Sequence, residues 1–275
     1  AAALIAVGSF FMYRFVIFRT SAPTRLYHEG MDQQSYEDLF RNEENHWWFR
    51  GRRAIIRDVL QRFSVEQVVH ALDVGCGTGH NAALLTVYAK HVDGLEVSPV
   101  AAAHARIKNP LLKVYEKDFY AFSYPAYGYG IITLFDVLEH LHDDAKALSL
   151  AHQLLTPGGK LFLTVPALSF LWSEHDVRLG HFRRYTAQTL QEAVRKAGFR
   201  IEQVSYFNFF LFPVVAFIRF WKRFRIRTAY GSDFSLPPPF INNLLAHCLA
   251  AERFLLRLFR LPVGVSLICV ARKDN

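Results

Sequence analysis

The stretch that decides the fold is ALDVGCGTGHN, residues 71–81: Ala71, Leu72, Asp73, Val74, Gly75, Cys76, Gly77, Thr78, Gly79, His80 and Asn81. An apolar run starts at Val68 and closes on Asp73, glycines recur at alternate positions, and a helical segment is expected over 81–90. A buried strand feeding a glycine-rich turn and then a helix N-terminus makes a concavity of backbone N–H groups with no side chains in the way. A nucleotide-like ligand can lie directly against such a main chain. The dinucleotide fingerprint G-x-G-x-x-G would need glycine at position 80, where this chain has His80. The spacing here is G-x-G-x-G.

Outward from this turn the chain alternates strand and helix. Strands are expected at 68–74, 92–97, 111–115, 129–135 and 160–166, with helices at 52–63, 81–90, 99–107 and 143–155. Thr186 caps a further helix over 187–197, followed by strands at 199–207 and 264–272. Repeated βα units of this length imply a doubly wound, seven-stranded, mostly parallel α/β sheet covered by helices on both faces. The organisation reads as an apolar, aromatic extension (1–50), a core (51–207), a helical insert (208–262) and the last core strand (263–275). The insert joins FFLFPVVAFIRFWKRF (209–224), basic at its end through Arg219, Lys222, Arg223, Arg225 and Arg227, to a second apolar helix near 241–260. Bulky apolar residues beside a basic cluster suit either a helix lying at a membrane surface or a cap over a substrate site.

Composition points the same way. The 275 residues are 52% hydrophobic, with 25 Phe and 12 Tyr, and carry a net charge of +8, which suits an acidic partner, anionic lipid headgroups or nucleic acid alike. Three scattered cysteines, Cys76, Cys248 and Cys269, indicate neither a zinc site nor a disulfide framework. Residues 1–18 carry one charge, Arg14, and fall short of the roughly 20 apolar residues that span a bilayer. A packed N-terminal helix and a partial membrane anchor both fit. With Arg14, Arg19 and Arg25 around that run, an anchor would leave the rest on the cytoplasmic side. The expected location is therefore cytoplasmic, peripheral to or anchored in a membrane.

Several motifs then agree in order: DVGCGTG (73–79), GLEVSP (94–99), KDF (117–119), FDVLEHL (135–141) and LLTPGGKLFLTVP (154–166). Together they resemble the class I S-adenosylmethionine-dependent methyltransferases, over residues 50–207 plus the last strand. The resemblance implies S-adenosylmethionine as methyl donor. It implies that Gly75, Gly77 and Gly79 cradle the ligand with Asp73 beside them, that Glu96 accepts the ribose hydroxyls, and that Asp118 and Phe119 meet the adenine. Phe135 and Asp136 would face the reactive sulfonium, because open α/β sheets bind ligands at the carboxyl ends of their strands. Transfer is an in-line displacement that needs alignment above all, and a base only where the acceptor must lose a proton.

Two stretches offer such chemistry. SEHDVRLGHFRRY (173–185) places His175 and His181 among carboxylates and arginines, so either histidine can serve as general base. Arg183, Arg184 and Tyr185 are candidates for binding substrate, as are Trp47 and Trp48 in the aromatic, arginine-flanked run 46–53. Packing is the competing reading for the Trp pair. DVLEH (136–140) is similar to the E-x-x-E-H element that binds a divalent metal in ubiquinone-biosynthesis O-methyltransferases and in enzymes that methylate small-RNA 3′ ends. That resemblance implies Asp136, Glu139, His140 and His181 as metal ligands, with Asp136 one carbon shorter than the usual Glu; the same element also occurs in relatives without metal. The expected activity is methyl transfer to a hydrophobic or lipid-linked small molecule at a membrane surface. The alternatives are a metal-assisted O-methyltransferase acting on RNA or a phenol, and a non-catalytic cofactor-binding scaffold. Nucleic acid is disfavoured as a partner, since the basic residues lie among Phe and Leu rather than along a polar groove.

Overall fold

The computed structural model describes residues 40–64, 66–122, 127–222 and 236–274. The expectations for residues 1–18 and for Arg223, Arg225 and Arg227 fall outside these residues. The first described long helix is α1 (Trp47–Phe63). A parallel array then builds from β1 (Val68–Val74), α2 (Ala82–Leu85), β2 (Ala89–Leu95), α3 (Pro99–Lys108), β3 (Lys113–Tyr115), β4 (Tyr129–Phe135), α4 (Asp144–Leu154) and β5 (Leu155–Pro166). After α5 (Glu174–Arg178) and α6 (Ala187–Lys196) come β6 (Phe199–Phe207), α7 (Phe212–Lys222), α8 (Pro239–Leu258) and β7 (Ser266–Lys273).

The seven strands form one sheet in the order β3-β2-β1-β4-β5-β7-β6. β7 runs antiparallel to both β5 and β6, while every other pairing is parallel. Growth of the sheet changes direction between β1 and β4. Right-handed crossovers therefore put α2 and α3 on one face and α4 on the other, and open a crevice where β1 and β4 part. The strands flanking it are apolar on both faces, as a doubly covered parallel sheet requires: Ala71, Leu72, Val74, Ile131, Ile132, Leu134, Leu161, Leu163 and Val165 are all buried.

Element bounds depart from the sequence reading where tertiary packing outweighs periodicity. The helix expected over 81–90 is reduced to Ala82–Leu85, because the chain must already re-enter the sheet at Ala89. α1 begins at Trp47, five residues before Arg52, where His46 caps it by accepting the Trp48 N–H at 3.3 Å. α8 is no isolated flap. It packs along α1 so closely that a Cβ on Gly51 would stand 2.7 Å from the Leu249 side chain. Among the described residues no helix is long and apolar enough to cross a membrane.

Candidate active site

The glycine turn leaves β1 at Gly75, whose φ of +62° and whose approach to Val137 (2.6 Å from an added Cβ) both exclude a side chain. Glu96, at the end of β2, fastens this turn: Oε2 accepts the Gly77 N–H at 2.9 Å and Oε1 accepts the Ser98 N–H at 2.9 Å. From the amino-terminal side, Glu43 caps the turn. Its carboxylate accepts the Thr78 hydroxyl at 2.5 Å, pairs with Lys108 and lies 3.8 Å from His80. Burial would raise the Glu43 pKa, but bonds from His80, Lys108 and Thr78 outweigh it and hold the carboxyl below its usual value.

Asp73 is buried at the mouth of β1. One oxygen accepts the Thr133 hydroxyl at 2.5 Å; the other finds no partner. Desolvation lifts its pKa to about 7, against the Thr133 bond and the Arg52 charge, and Glu96 adds to the rise. Arg52 reaches the same crevice from α1. Nη2 lies 2.7 Å from Asp136 Oδ2 and donates to Thr164 Oγ1 at 3.0 Å, and Thr164 donates to Asp136 Oδ1 at 3.0 Å. The guanidinium also stands 5.9 Å from the Phe135 ring centre, and its buried Nε is unpaired. Asp136, Leu168 and Asn208, the three described non-glycine residues with positive φ (57°, 62° and 59°), lie at the carboxyl ends of β4, β5 and β6. Such strain gathers at functional edges. On the far side of the crevice Phe119 is buried and Asp118 is exposed, capping the next turn through the Tyr120 N–H at 2.7 Å.

A second cluster lies past β4 and β5. One ligand atom each from Glu139, His140 and His181 fall within 4.8 Å of one another. Both Glu139 carboxylate oxygens are buried and unpartnered, and burial with the nearby Asp136 charge raises the Glu139 pKa well above the carboxylate range. Burial likewise lowers His140 to about 3 and lowers His181. Asp136 itself is not in this group of three; it is turned to Arg52. His181 Nδ1 lies 3.0 Å from Asp176 Oδ1, which fixes Nδ1 as the protonated nitrogen and leaves the Nε2 lone pair for other work. His175 stands behind, its ring 6.5 Å from that of His181.

Several residues expected to touch substrate are engaged internally. Arg184 forks onto Asp176 at 2.7 and 3.1 Å and onto the Ala167 carbonyl at 2.9 Å. Tyr185 is buried and donates to Asp144 at 2.7 Å; Arg183 holds the His142 carbonyl at 2.5 Å and Asp144 at 3.2 Å. These groups answer one another because the loop folds back onto the sheet edge, where Ala167 bridges to Tyr185. Trp47 is buried, its backbone N–H donating to Asn242 at 2.9 Å, whereas Trp48 stacks on Phe207 at 6.1 Å. Arg52, Glu43, Thr133 and Thr164 belong to the site although the sequence reading passed over them. For Arg52 a signal was present: it follows Trp48 by four residues, one turn of the same helix face.

Comparison with known proteins agrees with this architecture. A family model described as a methyltransferase domain matches residues 48–204. A Mycolicibacterium smegmatis protein named "Probable S-adenosylmethionine-dependent methyltransferase" is 29% identical over 161 residues, 58% of this chain and 62% of its own length. The ubiquinone biosynthesis O-methyltransferase of Coxiella burnetii is 28% identical over 130 residues, 43% of this chain and 56% of that protein. The chain thus spans less than two thirds of the length of either relative. In fold it is similar to the N-methyltransferase NodS of Bradyrhizobium japonicum in complex with S-adenosylhomocysteine. The TM-score is 0.53 at 16% identity, covering 88% of this chain and 99% of NodS. A glycine turn, a strand-end acid and a reversed final strand, joined to a family match over most of the core, place this chain in the methyltransferase domain family.

Proposed function

We propose that the enzyme methylates a hydrophobic or lipid-linked acceptor at a membrane surface. The observation that carries this reading is the outward face of α7. Val214, Phe217 and Trp221, one helical stripe, are exposed together with Phe220, while Val215 and Ile218 pack inward. α8 and the turn after it expose Phe240, Leu244, Phe254, Leu258 and Phe259 as well. Exposed bulky apolar residues in such number mark interaction surfaces, and aromatic residues with exposed arginines beside them, Arg257 and Arg260 on the α8 side, suit a lipid interface.

S-adenosylmethionine, when bound, supplies an electrophilic methyl on a sulfonium. The residues present fit it: Glu96 offers a strand-end carboxylate to ribose hydroxyls, and Asp118 and Phe119 flank the position of an adenine. The unpaired Asp73 oxygen and Arg52 Nε are complementary to an ammonium and a carboxylate. Asp136, locked by Arg52 and Thr164, limits the approach to the methyl. His181, oriented by Asp176, takes the acceptor proton through Nε2. Flotation with vesicles of phosphatidylcholine and phosphatidylglycerol tests the membrane part. The wild type should float and Phe217→Glu with Trp221→Glu should not; a wild type that stays at the bottom overturns it.

The Glu139, His140 and His181 cluster favours a second reading, metal-assisted O-methyl transfer. Two neutral imidazoles beside an unpartnered buried carboxylate fit a divalent cation, which would supply a Lewis acid for the acceptor oxygen. Metal content of the purified protein and of Glu139→Gln tests it; equal content in both overturns it.

A further inference from the structure

We propose that Asn208 is the polar group that reads the acceptor, taking a hydroxyl carried on an apolar or aromatic body. The inference rests on the methyltransferase reading of the site and adds to it a residue and a ligand chemistry.

Asn208 immediately follows β6, and β6 runs in the same direction as β4 and β5 because both β5 and β6 are antiparallel to β7. Its place is therefore on the carboxyl edge, level with the end of β5 and separated from it by β7: Pro166 and Phe207 flank Ser266 from either side. α1 lies across this edge. Arg52 touches the ends of β4 and β5, and Trp48, one turn earlier, stacks on Phe207 beside Asn208. Asn208 thus sits on the same carboxyl edge as the crevice, on the side away from the glycine turn and next to the Trp48–Phe207 stack.

The residue is fully buried, yet neither Oδ1 nor Nδ2 of its amide has a hydrogen-bond partner. Buried amides in folded proteins are almost always answered. The backbone does not account for the side chain. Its φ is +59°, a conformation asparagine tolerates, but glycine would make the same turn with no amide to bury. Nor does the loop need the amide to hold its course. Glu252, on α8, accepts the Phe210 N–H at 2.9 Å and anchors that segment through the main chain.

The chemistry of the ligand follows from the surroundings. An amide offers two donors and two acceptor lone pairs without charge, which matches a hydroxyl, at once donor and acceptor. Phe207 and Trp48 supply an apolar wall, and buried Glu252, an acid that burial already pushes toward its neutral form, leaves no place for a second anionic group nearby. The preferred ligand is a neutral hydroxyl on an apolar scaffold.

The test uses the full chain loaded with S-adenosylhomocysteine and two probes of nearly the same shape, phenol and toluene. Wild type should bind phenol about tenfold tighter than toluene, since a site built to bond a hydroxyl rejects the analogue lacking it. Asn208→Gly should bind both alike, with toluene and S-adenosylhomocysteine affinities unchanged. In the wild type the Asn208 side-chain amide resonance should move with phenol and stay with toluene. Absence of a phenol preference, binding of neither probe, an unmoved resonance, or a preference that survives in Asn208→Gly overturns the proposal. Failure to bind S-adenosylhomocysteine would instead overturn the assignment of the donor site.

Discussion

Arg52 Nη2 lies 2.7 Å from Asp136 Oδ2, and this single pair ties α1 to the strained residue at the end of β4. The same nitrogen donates to Thr164, so one guanidinium sets the spacing of two neighbouring strand ends. Arg52 is buried whereas Asp136 is part-exposed, and the stranded partner would be partly rescued by solvent. Arg52→Ala should therefore destabilise the protein by about 2–3 kcal/mol, below the range for breaking a fully buried pair. It should also weaken S-adenosylmethionine binding by roughly tenfold or more, since a charged hydrogen bond is worth about 1.5–3 kcal/mol. Urea unfolding and calorimetry measure the two effects separately.

Asp73 should give the proposed donor site a pH dependence of definite sign. With its pKa raised to about 7 by burial, the carboxyl is largely neutral in the empty site below that pH. A ligand ammonium favours the ionised form, so binding releases a proton and affinity rises as pH passes upward through about 7. For folding the sign is opposite: the contribution of the neutral form is present below the ordinary carboxylate range and is lost as pH rises through about 7. Arg52 and the Thr133 hydroxyl limit the shift and Glu96 enlarges it. Calorimetric titration across this range should show the trend, and Asp73→Asn should flatten it.

How much of this was readable beforehand follows from where each signal lies. β1, β4 and β6 appear at their expected bounds, because strands covered on both faces leave uninterrupted apolar runs. The glycine turn is equally local, since it is the backbone that must turn there. Arg52 was hidden for the opposite reason: Thr164 lies 112 residues away, and only the fold brings the two together. The internal partners of Arg184 and Tyr185, Asp176 and Asp144, are not legible in the sequence, because a run of charges looks the same whether it faces solvent or pairs internally.

Glu96 holds two backbone N–H groups, one on the glycine turn and one at the start of α3. Glu96→Gln replaces one accepting oxygen with a donor, so one of those bonds is lost and an N–H faces an N–H. The turn should loosen and S-adenosylmethionine affinity should fall by about 10- to 100-fold, the scale of one bond to a charged acceptor. Far-UV circular dichroism should stay unchanged, which separates this from unfolding.

Asp176 is fully buried between Arg184, His181 and the Ser173 N–H; burial alone would raise its pKa, but the His181 bond and the Arg184 and Arg219 charges hold its carboxyl well below the usual range. Asp176→Asn leaves the Arg184 charge buried without its counter-ion and should cost about 3–5 kcal/mol. Asp176→Glu keeps the charge but lengthens the arm, and should recover stability better than it recovers methyl transfer if the placement of His181 matters. Thermal unfolding and turnover, measured on both variants, separate the two contributions.

The antiparallel strand β7 sits between β5 and β6 rather than at the rim. During synthesis, β1 to β5 can pair as they leave the ribosome, and the donor crevice can form on the nascent chain. β6 cannot join them. It has no neighbour in the sheet until residues 266–273 emerge and slide in beside it, after α7 and α8 have already been made. The edge that carries Trp48 against Phe207, with Asn208 beside them, is thus the last part of the enzyme to assemble. A nascent chain arrested just before β7 should capture the methyl donor and have no place for the acceptor.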